Sequence, residues 1–168
     1  MKKSLLRIIY LVVAALMVAL DYVSKAHIVK YLKGRENIVW IKNVFELEYL
    51  ENTGAAFSSF LGKQGFLIGL TSVVLLACII EFLRIPEGKR YAGLRISFLL
   101  LIAGAIGNLI DRVKQGYVVD FFYFVPVNFP RFNVADIYVT LSVPLLIILV
   151  FVVYKEEETD FLFNFKKK

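Results

Sequence analysis

The chain has 168 residues, of which 59% are apolar and 20% charged, with a net charge of +6 and a mean hydropathy of +0.70. Soluble domains are about 45–50% apolar, so this composition excludes a disordered chain, a collagen-like chain and a disulfide-stapled miniprotein, and argues against an ordinary soluble enzyme. A membrane protein of one domain, residues 1–168, is the first reading; nucleic acid is not the expected partner, because the basic residues flank apolar runs instead of lining one face.

Four apolar stretches approach the ~20 residues that cross a bilayer core as helix. The first spans about 5–25. It resembles a signal peptide at Met1-Lys2-Lys3, but Asp21 and Lys25 follow it where a small-x-small cleavage site would stand, so a retained helix is expected. The outer loop 26–64 comes next. Within it, Ile38-Val39-Trp40-Ile41 precedes Phe45, Leu47 and Tyr49, which alternate with Glu46 and Glu48. That period of two predicts a small β-hairpin, with Trp40 and Tyr49 suited to a membrane interface. The second span, about 65–83, carries Glu81 and the single cysteine, Cys78. Leu75-Leu76-Ala77-Cys78 has the form of a lipobox, but its mid-chain position makes that chance, and Cys78 reads as a small buried hydrophobe. The third span is about 96–113. An outer loop, 114–136, leads to the fourth, about 137–154, in which Pro144 predicts a mild kink. The tail 155–168 mixes Glu156-Glu157-Glu158 with Lys166-Lys167-Lys168 and reads as a solvated end.

Four spans place both termini on one side. Segments 1–7, 84–95 and 155–168 hold 11 basic residues in 33, against 8 in 64 for segments 27–65 and 112–136. The denser set belongs in the cytoplasm, so the larger loops face outward.

Ionisable groups in spanning segments cost at least roughly 2.5–3.5 kcal/mol at the bilayer centre and are functional candidates by default. Here they gather near the outer ends. Asp21 and Lys25 share a face of the first helix; Asn108, Asp111 and Arg112 close the third; Asn133 and Asp136 open the fourth; Asn52, Gly54 and Asp120 lie in the outer loops. On the cytoplasmic side Glu81 stands alone. Plain readings exist for several. Asp21–Lys25 can be a self-neutralising i,i+4 pair, Asp111–Arg112 a helix-end pair, and Asn133 or Asp136 an N-cap. His27, the only histidine, reads as an interfacial residue. Asp120 resists such a reading. It sits in Val118-Val119-Asp120-Phe121-Phe122, where a carboxyl is desolvated and its pKa rises.

One cysteine and one distant histidine indicate no zinc site, and no serine-hydrolase, metalloprotease or phosphate-loop motif occurs. No cofactor is expected. What remains is a set of aspartates. Two carboxyls forced together share a proton, so that one serves as base toward water and the other as acid. Asp120 and Asp136 are the best pair. A small transporter or channel, and a non-catalytic assembly protein, stay open beside the enzyme. The first needs a polar path through the full thickness, and the cytoplasmic halves of the spans are almost wholly apolar.

Five blocks then resemble a family. Asp21-Tyr22-Val23-Ser24-Lys25, Asn52-Thr53-Gly54-Ala55-Ala56-Phe57, Gly107-Asn108-Leu109-Ile110-Asp111-Arg112, Val118-Val119-Asp120-Phe121 and Phe132-Asn133-Val134-Ala135-Asp136 are similar, in order, to those of bacterial lipoprotein signal peptidase (signal peptidase II). The resemblance implies a four-helix inner-membrane aspartic endopeptidase with a small outer sheet. It would remove the signal peptide from prolipoproteins just before a diacylglyceryl-modified cysteine. By motif it makes Asp120 and Asp136 the catalytic dyad. Asn52, Gly54, Asn108, Arg112 and Asn133 then line the site, and Asp21, Lys25 and Asp111 support it. The implied partners are lipid-modified prolipoproteins and membrane lipids, and a monomer is expected. Six aromatics between Phe121 and Phe132 suit a greasy lid. Tyr22, where the family often has Gln, and Ile137, where it often has Ser, depart from the pattern without touching the dyad.

Overall fold

The computed structural model describes residues 3–54 and 62–163. Four helices among them are long and apolar enough to cross a membrane. They are α1 (Lys3–Leu32), α2 (Gln64–Arg84), α3 (Ala92–Gln115) and α4 (Val134–Ile148), the last continuing as a π-helical turn over Leu149–Val153. Half of α3's apolar window is buried, against 6% for each of the others, so α3 is the central helix. It packs against α1, α2 and α4. Small residues allow this. A Cβ on Gly104 would stand 2.6 Å from the Ala135 carbonyl oxygen, and one on Gly107 would stand 2.5 Å from Asp21 Oδ2. In lipid the helices gain little from hiding apolar surface from one another, so close backbone approach matters more.

The predicted hairpin is present. β1 (Ile38–Ile41) pairs antiparallel with β2 (Phe45–Asn52). Leu47 and Tyr49 pack with Ile28, Leu32, Val119 and Phe121, while Glu46 and Glu48 bond to Asn37 and Arg131. Among the described residues, the segments that join α1 to α2 and α3 to α4 are more ordered than the sequence suggested. Asp120 lies not in a loop but in a third strand, β3 (Val118–Phe124), antiparallel to β2. A Val-Val-Asp-Phe-Phe run reads as a greasy segment by composition, but its β-branched and aromatic residues suit a strand once a neighbour offers an edge. Phe121–Phe124 therefore belong to the sheet.

Boundaries also move. α1 continues beyond residue 25 to Leu32, because Ile28 and Leu32, one turn apart, are buried against the sheet. It stops before Gly34, whose φ of +73° suits glycine. α3 starts at Ala92, earlier than residue 96, and α4 at Val134, earlier than 137. At the other end of the bundle, Glu81 does not stand alone but pairs with Arg84 at 2.6 Å. The tail is not simply solvated, since Glu156–Phe163 form a helix, α5. Its Phe161 and Leu162 pack onto the α2–α3 cluster, and Glu158 pairs with Arg90 at 2.8 Å. Lys166–Lys168 and Ala55–Phe57 lie outside the described residues.

Candidate active site

Asp120 and Asp136 reach the site from different elements, and one asparagine joins them. Asn133 ends the β3–α4 connection and caps α4: its side-chain oxygen accepts from Asp136 N–H, and Asp136 Oδ2 accepts from Asn133 N–H, both at 3.0 Å. This reciprocal cap fixes the Asp136 carboxyl on the first turn. The Asn133 Nδ2 donates to Asp120 Oδ1 at 2.7 Å. Asn52, at the end of β2, donates to the other oxygen of Asp120, also at 2.7 Å. Asn108 on α3 donates to Asp136 Oδ1 at 2.7 Å. Each carboxyl is thus held through both oxygens.

Behind them lies a buried charge cluster. Lys25 pairs with Asp21 at 2.8 Å and with Asp111 at 3.1 Å, and donates to Asn108 Oδ1 at 3.0 Å. Asp21 Oδ1 accepts from Ala135 N–H and Asp111 Oδ2 from Val119 N–H. Asp21 therefore anchors the start of α4, and Asp111 anchors the start of β3. The Asp111–Arg112 pair read from the sequence does not form: Asp111 turns to Lys25, while Arg112 donates to the Gly54 carbonyl at 3.1 Å. Gly54 N–H in turn donates to Asn52 Oδ1 at 2.9 Å. All ten residues singled out in the sequence thus join one connected network.

The network forms one wall of a cavity of about 760 Å³, which Asn52, Asn108, Arg112, Asp120 and Asp136 line. Asp120 is 1% exposed. Burial, reinforced by the neighbouring Asp136 charge, pushes its pKa up to about 7, although the amides of Asn52 and Asn133 favour the ionised form. Arg112 Nε is buried with no partner among the described residues. A carboxyl with a raised pKa, a second carboxyl beside it and a guanidinium at the same wall can activate water and stabilise a developing oxyanion. His27 is exposed and bonds the Val23 carbonyl, and Cys78 is buried in α2. Among the described residues, no group of three or more His, Cys, Asp or Glu side chains is arranged to hold a metal.

Thr140, Asn128 and Arg131, which are not among the residues expected at the site, also line the cavity. Thr140 had a signal, since it lies one helical turn beyond Asp136 on the same face. Arg131 had none; its partner, Glu48, is 83 residues away.

Residues 13–152 match the family model for signal peptidase (SPase) II. The lipoprotein signal peptidase of Brevibacillus brevis is 42% identical over 142 residues, covering 84% of this chain and 94% of its own. That of Clostridium tetani is 46% identical over 144 residues, covering 83% and 90%. A bacterial membrane enzyme solved by the in meso method at 2.3 Å resolution shares the fold with a TM-score of 0.74 at 30% identity, covering 88% of this chain and 92% of that one. The likeness in sequence thus runs through nearly all of the bundle and sheet that build the cavity wall, and the chain belongs to the signal peptidase II family.

Proposed function

We propose that this chain is an intramembrane aspartic endopeptidase that removes the signal peptide from prolipoproteins, cutting just before the diacylglyceryl-modified cysteine. The observation that carries the reading is the bridging of Asp120 and Asp136 by one asparagine at the wall of one cavity. The names of the curated relatives support the substrate class.

The mechanism uses water and the two carboxyls. Burial and the neighbouring Asp136 charge push the Asp120 pKa up to about 7, so Asp120 supplies the proton. The ionised member takes a proton from water as the oxygen attacks the scissile carbonyl carbon. The protonated member gives its proton to the carbonyl oxygen; the first member then passes the proton it took from water to the amine nitrogen as the C–N bond breaks, and the second takes back the hydroxyl proton as the C=O bond re-forms. The Arg112 Nε donor, without a partner among the described residues, serves the substrate's backbone carbonyl, and Asn52, Asn108 and Asn133 keep the carboxyls in place. The chain resides in the bacterial inner membrane as a single domain and a monomer. Its termini are cytoplasmic, and its cavity lies at the outer face.

Purified protein mixed with a synthetic prolipoprotein peptide tests this. Cleavage is expected when the cysteine carries diacylglycerol and not when it is bare. Equal cleavage of both removes the substrate assignment, and no cleavage by a folded protein removes the reaction.

A further inference from the structure

Asp120 receives its two amide donors from opposite sides: Asn52 from β2 and Asn133 from the β3–α4 connection. A second link joins the same two segments. Arg131, two residues before Asn133, reaches across to Glu48, four residues before Asn52. Its Nε donates to Glu48 Oε2 at 2.9 Å, and Nη2 stands 2.8 Å from the same oxygen. The two side chains are 28% and 23% exposed, so water screens the pair less than an open surface pair. The guanidinium also lies 3.9 Å from the centre of the Tyr123 ring, and the Tyr123 hydroxyl donates to Asn128 at 2.8 Å. Between the links, Phe132 exchanges backbone hydrogen bonds with Phe122 of β3. A closed ring results: Glu48, Asn52, Asp120, Asn133, Arg131 and back to Glu48.

We propose that the Glu48–Arg131 pair is a positioning brace that holds Asn52 and Asn133 at the separation at which both bond Asp120. The inference rests on the aspartic reading above. Neither residue need touch the scissile bond. Glu48 does not line the cavity, and Arg131 does. The brace acts on the placing of one carboxyl, so its loss affects turnover more than substrate capture. Misplacement of reacting groups by about 1 Å can cost roughly a hundredfold in rate.

Four proteins test it: Glu48→Ala, Arg131→Ala, the double alanine variant, and the exchange Glu48→Arg/Arg131→Glu. Each is purified in detergent, checked for wild-type thermal unfolding and assayed on the lipid-modified peptide. Each single variant is expected to lose about ten- to a hundredfold in kcat with KM within about twofold of wild type. The double variant falls no further than the worse single one, and the exchange variant recovers a substantial part of the loss. Hydrogen exchange gives a readout that needs no activity: the amides of Phe121, Phe122 and Phe132 exchange faster in Glu48→Ala, while those of α2 do not change. Wild-type kcat in both single variants, or single losses that multiply in the double, overturns the brace. So does unchanged protection at Phe132. A wild-type protein that fails to cleave counts against the aspartic reading, while the exchange data still decide the brace.

Discussion

At the scale of single residues, the Asp120 carboxyl sits in a place that disfavours its charge. Burial raises Asp120 to about 7, and the Asp136 charge adds to it. Below that pH Asp120 holds its proton and the pair has its acid; as pH rises through about 7 the proton leaves and the acid is lost. The value of kcat/KM is therefore expected to fall on the alkaline side with a midpoint near 7, read from initial rates on the lipid-modified peptide. A flat profile through that range contradicts the assignment. Lys25 makes a second residue-scale case. It is 3% exposed and faces two carboxylates and the Asn108 amide oxygen. Lys25→Met strands Asp21 and Asp111 in the interior, which costs roughly 3–5 kcal/mol; chemical denaturation in detergent measures it, and a loss under about 1 kcal/mol would contradict the buried cluster. Asp120 was legible in the sequence because an aspartate among Val and Phe has no plain explanation. Asn133 was legible as a cap, but its bond to Asp120 was not, since that depends on where β3 runs.

At the scale of elements, the four spans were legible because a run of apolar residues near bilayer length has few other uses. The hairpin was legible from its alternation over Phe45–Tyr49. β3 was not, because a strand apolar on both faces has no period to read, and its partner lies about 70 residues earlier in the chain. The extra turns of α1 were missed for a related reason: Ile28 and Leu32 are buried by a sheet formed later in the chain. The α3–α4 crossing yields a prediction of its own. A Cβ on Gly104 meets the Ala135 backbone oxygen at 2.6 Å and Val139 Cγ2 at 2.7 Å, and backbone does not yield readily. Gly104→Ala is expected to cost about 1–3 kcal/mol by overpacking. Gly69→Ala, on α2 with nothing within 4 Å of its Cβ, is the neutral control. Equal thermal unfolding of the two variants would contradict close packing of α3 on α4.

At the scale of the whole molecule, the ten site residues converge from three helices, two strands and the loop residues Gly54 and Asn133 onto one end of the bundle. The proposed orientation puts that end outside the cell. Cysteines placed at Trp40 and at Glu87, each in a Cys78→Ala background, test it in right-side-out membrane vesicles. A membrane-impermeant maleimide is expected to label position 40 in intact vesicles and position 87 only after lysis; the reverse pattern would invert the topology. The central claim is that the chain's reaction runs on Asp120 and Asp136, and the most direct measurement compares wild type with Asp120→Asn and Asp136→Asn on the lipid-modified peptide. All three are verified as folded by thermal unfolding in the same detergent. Each substitution keeps the side chain's shape and removes its acid–base chemistry, so cleavage is predicted to fall by at least about 10²- to 10⁴-fold in both. Wild-type cleavage by either folded variant would contradict the dyad.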